Sequence, residues 1–204
     1  TGYTEEKSRE QEKWLLSKLQ ELVETVTNGY DKCRYHESTR AIEEFVINHL
    51  SQTYIPLTRN EIWDDSQDNL NRRLAIYSTL AYVLQTVDIL LHPVCPFMTD
   101  YLYLTCFNNK ESILLEQWPT REEKFVDQNI ERSFAVLKEV VSLANAARMK
   151  ASLKRRWPLK HAYLCINNED VQALGALDEL LGSQLNVNDF KIIGFEQTGV
   201  GARL

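Results

Sequence analysis

Apolar residues in this chain recur at the helical period over its first two thirds, and after Pro158 that pattern stops. The switch restricts the fold more than any other feature. A 3.6-residue repeat puts Leu15, Leu19, Leu22 and Val26 on one face of a helix predicted over residues 5–27. Asn28-Gly29 is expected to end it, since glycine takes up a left-handed stop at little cost. A second helix is predicted over 35–53, burying Ile42, Phe45, Val46, His49 and Leu50, and Pro56 then demands a kink or a new helix. Residues 64–69 read as a turn, with Asp68 capping a long third helix to Leu91 whose inward stripe would be Tyr77, Leu80, Leu84, Val87 and Leu91. Pro96 suits the first turn of a helix carrying Phe97, Tyr101, Leu102 and Thr105. Residues 108–124 form a polar excursion, and a last long helix starts near Asp127 with Ile130, Phe134, Leu137, Val141 and Ala144 inward.

Beyond Pro158, residues 159–166 are short, apolar and partly alternating, as a strand requires. A helix follows over 169–181, ending at Gly182, and 189–195 reads as a second strand. The fold class is therefore mainly α: an up-and-down helical bundle followed by a small, truncated α/β (β-α-β) subdomain. Three segments are read: 1–118 as bundle, 119–154 as connector and long helix, and 155–204 as the α/β subdomain. Two strands make a poor sheet alone, so the sheet borrows an edge or the chain stops before its remaining strands. The chain also begins without Met, which reads as a piece of a longer polypeptide.

Several functions are excluded at this level. No apolar run approaches the ~20 residues of a membrane span, and the polar start TGYTEEKSRE has no signal-peptide core. Cys33, Cys95, Cys106 and Cys165 form no Cys-x-x-Cys pair and have no histidine at a metal-ligand spacing, so they read as thiols in a reducing cytoplasm. There is no Gly-x-Gly-x-x-Gly, phosphate-binding loop or Gly-x-Ser-x-Gly. His36, His49, His92 and His161 are scattered, with His49 on an apolar stripe and His92 at a helix end. Neighbouring carboxylates such as Glu43-Glu44 and Asp64-Asp65 do not share a helix face. Neither a catalytic site nor a metal site is expected. The run Met149-Lys-Ala-Ser-Leu-Lys154 faintly echoes a Lys-Met-Ser-Lys-Ser nucleotide loop, but its order differs and it is predicted helix.

The net charge of −6, taken as an average, argues against a nucleic-acid binder. Its distribution argues otherwise. From Val140 to Asn168 there is no acid, while Arg148, Lys150, Lys154, Arg155, Arg156 and Lys160 contribute +6, leaving −12 for the rest. Trp157 sits within this band. Cations around an aromatic ring are what an unpaired RNA loop requires: the cations hold phosphates and the ring stacks a base. The blander alternative is a solvated helix C-terminus favoured by the helix dipole, or a basic band that docks an acidic protein. Arg72 and Arg73 open the third helix, and Arg59 follows Pro56.

Several motifs together resemble one family. Trp14-Leu-Leu-Ser-Lys-Leu19, Tyr30-Asp31, the run Arg40-Ala-Ile-Glu-Glu-Phe-Val-Ile-Asn-His-Leu-Ser51, Asn71-Arg72-Arg73 and His92-Pro-Val-Cys-Pro-Phe-Met-Thr-Asp-Tyr-Leu-Tyr103 occur in the order of the anticodon-binding bundle of class Ia aminoacyl-tRNA synthetases. Glu111-Ser-Ile-Leu-Leu-Glu-Gln-Trp-Pro119, Ala147-Arg-Met-Lys-Ala-Ser-Leu-Lys-Arg-Arg-Trp-Pro-Leu159 and Leu185-Asn-Val-Asn-Asp-Phe190 resemble the isoleucyl branch in its archaeal and eukaryotic form, with the valyl branch as the alternative. The resemblance implies a cytoplasmic, monomeric ligase with no membrane partner. Such a ligase uses ATP and Mg to join isoleucine to its tRNA, and its catalytic and editing parts would lie N-terminal to this region, so no cofactor belongs here. By the same resemblance, tRNA contacts fall on Arg59, Arg72, Arg73, Lys150, Lys154, Arg155, Arg156, Trp157 and Lys160. Pro56 and Glu61 depart from the Arg-richer pattern of related enzymes, and the four-cysteine zinc module of many bacterial relatives is missing.

Overall fold

The computed structural model describes residues 9–107, 110–195 and 201–203. The chain divides into two compact units, Thr1–Asp127 and Gln128–Leu204.

The first unit is a helical bundle. It runs through α1 (Glu10–Asp31), α2 (Tyr35–Glu44), a π-helical stretch (Phe45–Tyr54), α3 (Ile55–Trp63), α4 (Leu70–Leu91) and α5 (Pro96–Cys106). Trp14, Leu15, Leu19, Val26, Phe45, Tyr54, Ile76, Val83, Leu90 and Tyr103 are buried in its core. Residues 5–8 of the predicted first helix lie outside the described residues. Gly29 does not end α1. A Cβ there would lie 2.2 Å from Ser38 Oγ, so glycine lets the start of α2 close on α1 while the Ser38 hydroxyl donates to the Val26 carbonyl at 3.1 Å. The left-handed residue is Cys33, with φ 57°. Pro56 falls in the first turn of α3, where its missing N–H is tolerated, and the wider π turns precede it. His49 packs edge-on to Trp14 and Phe45, with ring centroids 5.5 and 5.8 Å away.

The stripe of α4 is rotated from the sequence expectation, and α5 turns inward a face that the sequence left unassigned. α4 buries Ala75, Ile76, Thr79, Val83, Val87 and Leu90, and leaves Tyr77 and Leu84 exposed. α5 buries Thr99 and Tyr103, while Phe97 and Tyr101 are 91% and 69% exposed. Polar anchors fix the α5 face: Thr99 Oγ1 bonds His92 Nδ1 at 2.8 Å, and the Tyr103 hydroxyl donates to Glu116. Asn69, not Asp68, precedes α4, its amide donating to the carbonyls of Glu61 and Asp64. Gln67–Leu91 is long and apolar enough to cross a bilayer, with a hydropathy of 1.6, contrary to the sequence reading. Its buried face holds Arg72, Thr79 and Asp88, as a helix inside a polar-pinned core would. The excursion after α5 straps back over the bundle: Trp118 donates to Thr27 at 2.9 Å, and Gln20 accepts from the Glu122 N–H at 2.8 Å.

The second unit contains α6 (Gln128–Lys150), β1 (Leu159–Asn167), α7 (Asn168–Leu174), α8 (Asp178–Leu185), β2 (Val187–Phe195) and β3 (Gly201–Arg203). The sheet order is β2-β1-β3, with β1 parallel to β2 and antiparallel to β3. The β-α-β reading holds, and the short β3 supplies a strand that the sequence did not reveal. The long helix α6 groups with the sheet rather than forming a connector between the bundle and the sheet. Its inward Ile130, Phe134, Leu137, Val140 and Ala144 share a buried set with Ala162, Leu164, Ile166, Leu174 and Leu181. α8 continues through Gly182, where a Cβ would stand 3.4 Å from the Phe190 ring, and stops at Asn186, whose φ is 50°.

Candidate nucleic-acid interface

The basic band lies in the second unit. α6 ends at Lys150, and Ser152 turns the chain with φ 56° as the Leu153 N–H donates to the Arg148 carbonyl at 2.9 Å. The Met149–Lys154 run is thus helical only at its first two residues. A tight turn follows, closed by the Trp157 N–H on the Lys154 carbonyl at 3.0 Å, and Pro158 leads into β1.

Arg148 holds this loop from within. It is 2% exposed and faces main-chain carbonyls. Nη1 donates to Trp157 at 2.8 Å and Lys154 at 3.4 Å; Nη2 donates to Leu185 at 2.9 Å and Asn186 at 3.1 Å. Asn186 adds an amide bond to the Arg155 carbonyl at 3.1 Å, and its own carbonyl accepts from the Leu159 N–H. With the backbone gripped on the inner side, Lys154, Arg155 and Arg156 project outward and are exposed, with Lys150 at one flank and Lys160 at the other. None of these five has a carboxylate partner among the described residues. The Trp157 ring is 48% exposed, and Lys154 Nζ stands 5.6 Å from its centroid, within cation–π range.

The first unit treats its arginines differently. Arg59 is exposed on α3. Arg73 is partly buried and pairs with Asp65 at 2.7 Å. Arg72 is a correction: it is 5% exposed and bonds Glu12 through two nitrogens at 2.6 and 2.9 Å, with Glu61 at 2.9 Å. Tyr54 completes the cluster by donating to Glu12 at 2.9 Å. Burial alone would lower the Arg72 pKa, but the hydrogen bonds and charges of Glu12 and Glu61 outweigh it and raise the pKa. A guanidinium so enclosed is not presented to an outside phosphate; it pins α1, α3 and α4 together.

Sequence reasoning counted Arg148 in the band but missed its role. The signal was present, since 148 continues the inward series 130, 134, 137, 144 at helical spacing. Asn186 gave no signal beyond its place in a family-like segment.

Residues 12–164 match the family of anticodon-binding domains of tRNA ligases, and the chain belongs to that family. The match takes in the bundle from the first turn of α1 onward and the Trp157 loop. Within it, the chain is 31% identical over 191 residues to the isoleucine–tRNA ligase of Methanopyrus kandleri, covering 92% of this chain and 17% of the relative. It is 34% identical over 185 residues to that of Saccharolobus solfataricus, covering 90% and 19%, and 32% identical over 188 residues to that of Pyrococcus abyssi, covering 90% and 17%. The chain thus spans less than a fifth of the length of the curated relatives it matches. The similarity agrees with the isoleucyl resemblance read from the motifs.

Proposed function

We propose that this chain grips the anticodon stem-loop of an isoleucine-accepting tRNA as part of a cytoplasmic, monomeric isoleucine–tRNA ligase. ATP and Mg serve the remainder of that ligase, and no cofactor is assigned to this region. One observation carries the reading. Five exposed cations, without carboxylate partners among the described residues, are carried by and flank a loop with a half-exposed tryptophan, whose backbone is fixed from inside by Arg148. Phosphates of the loop engage the cations, and a splayed base lies on the open face of Trp157. Arg59 and Arg73 are secondary contacts, and the buried Arg72 makes none.

The test is a titration of an RNA stem-loop carrying an isoleucine anticodon, set against an unrelated hairpin, across a salt series. The cognate stem-loop is expected to bind more tightly. Arg155→Ala should flatten the log–log salt slope by about 0.7–0.9, one phosphate contact. Trp157→Ala should cost about 1–3 kcal/mol of affinity. Equal binding of both hairpins, or an unchanged Trp157→Ala variant, overturns the reading.

A further inference from the structure

β1 leaves the Trp157 loop and runs up the middle of the sheet. Ala162, Leu164 and Ile166 point into the helical layer and are buried. Successive side chains alternate, so His161, Tyr163 and Cys165 point to the other side. On β2, Phe190 meets Gly182 of α8, and a Cβ at Gly194 would strike Asn168 and approach Val171 of α7; residues 190, 192 and 194 therefore face the helices. The register then sets Asp189 beside His161, Lys191 beside Tyr163 and Ile193 beside Cys165 on the opposite face. That face is open: Tyr163 and Ile193 are each 49% exposed, and Lys191 is exposed too.

We propose that this open face, centred on Tyr163 and Lys191, is a base-stacking platform for an unpaired nucleotide of the RNA held at the Trp157 loop. The proposal rests on that loop binding RNA. Three features favour nucleic acid over a protein partner. The exposed ring is an aromatic with a cation directly across the strand pair, the pairing that takes a base and its phosphate together. The one carboxylate on these paired positions, Asp189, lies at the loop end of the pair, 3.4 Å from His161 Nδ1 and two residues from Lys191. The face also lies on the strand that leaves the cation band, since β1 follows Trp157 and Pro158 directly, and six residues of extended chain place Tyr163 at most about 20 Å from Trp157.

The experiment measures affinity of the protein for the isoleucine-anticodon stem-loop in Tyr163→Ala, Tyr163→Phe and Lys191→Ala variants, with Trp157→Ala as control and thermal midpoints recorded for all. Loss of a stacked base predicts about a 5- to 100-fold loss for Tyr163→Ala. Tyr163→Phe should bind as the parent does, because the ring is kept. Lys191→Ala should lower the salt slope by about 0.7–0.9. Photo-crosslinking from thiouridine in the RNA loop should label peptides of β1 or β2. If Tyr163→Ala and Lys191→Ala bind normally while Trp157→Ala is weakened, the platform is wrong and the loop reading stands. If all bind normally, both fall. If Tyr163→Phe loses as much as Tyr163→Ala with a lowered midpoint, the effect is structural and the platform is overturned.

Discussion

Arginines at 72, 148 and 155 look alike in sequence, yet each occupies a different physical setting. Arg72 is enclosed by Glu12 and Glu61, Arg148 by four carbonyls, and Arg155 by water. Removing one partner of a buried ion pair leaves the other charge stranded, at a cost of about 3–5 kcal/mol. Arg72→Ala should therefore destabilise the protein by that amount through Glu12, which is fully buried. Arg148→Ala strands carbonyls rather than a charge, each short of a charge-assisted bond, and should cost about 2–4 kcal/mol. Lysine does not rescue it, because one ammonium cannot reach acceptors that a planar fork spans. Arg155→Ala should change stability by under about 0.5 kcal/mol. Urea denaturation of the three variants checks this order. An Arg72→Ala protein as stable as the parent would show that the cluster carries no net stabilisation.

α4 shows what its own pattern conceals. It is apolar on nearly every side, so the larger residues Tyr77, Leu80 and Leu84 define one stripe while the smaller Ala75, Thr79 and Val83 define the one that is buried. Periodicity finds such a helix but cannot phase it; the phase comes from polar anchors in other elements, which a linear reading does not display. α6, with charge on its outer face, shows its phase plainly, its named Ile130, Phe134, Leu137 and Ala144 being buried. The exposed half of the candidate site was legible in the same way, as a charge band, whereas Arg72 misled because its partners lie far off in sequence. Asp88 is another residue on the buried face of α4. Burial, and then the charge of Asp100, push its carboxyl up to about 6. Asp100 itself is held down by hydrogen bonds from Ser112 and the Ile113 N–H and stays charged. Since the Asp88 pKa is higher folded than unfolded, the native state holds the extra proton between about 3.8 and about 6. Ionisation thus costs stability, fully above pH 6, and the cost fades as pH falls through that window. Asp88→Asn should raise the stability of the first unit at pH 7 by about 1–2 kcal/mol, and the gain should shrink by pH 4.5. Thermal unfolding of both proteins at the two pH values measures it; a variant less stable than the parent at pH 7 would show that the ionised carboxylate is satisfied.

At the scale of the molecule, each unit has its own buried set. Trp14, Phe45, Ile76 and Tyr103 belong to the first; Phe134, Leu137, Leu164 and Leu181 belong to the second. The internal pins follow the same division, with Glu12–Arg72–Glu61 in the bundle and Arg148–Asn186 in the α/β unit. Cooperative unfolding extends as far as a shared core does, so two cores predict two transitions. Calorimetry should resolve them, and variants assign them: Arg72→Ala lowers one midpoint and Asp88→Asn raises that same one, while Arg148→Ala lowers only the other. Each kcal/mol should move the second unit's transition by about 4–8 °C, the response of a domain of roughly 60–100 residues, and that of the larger first unit by less, toward the 2–4 °C of a domain of roughly 150–250 residues. The RNA stem-loop adds an independent check. A ligand stabilises what it binds in proportion to the logarithm of its concentration over Kd, so at saturating stem-loop the transition sensitive to Arg148→Ala should rise most, because the Trp157 loop and the open sheet face both belong to that unit. A single transition, shifted equally by Arg72→Ala and Arg148→Ala, would mean that the two cores melt as one and that the bundle contributes to holding the loop in its binding shape.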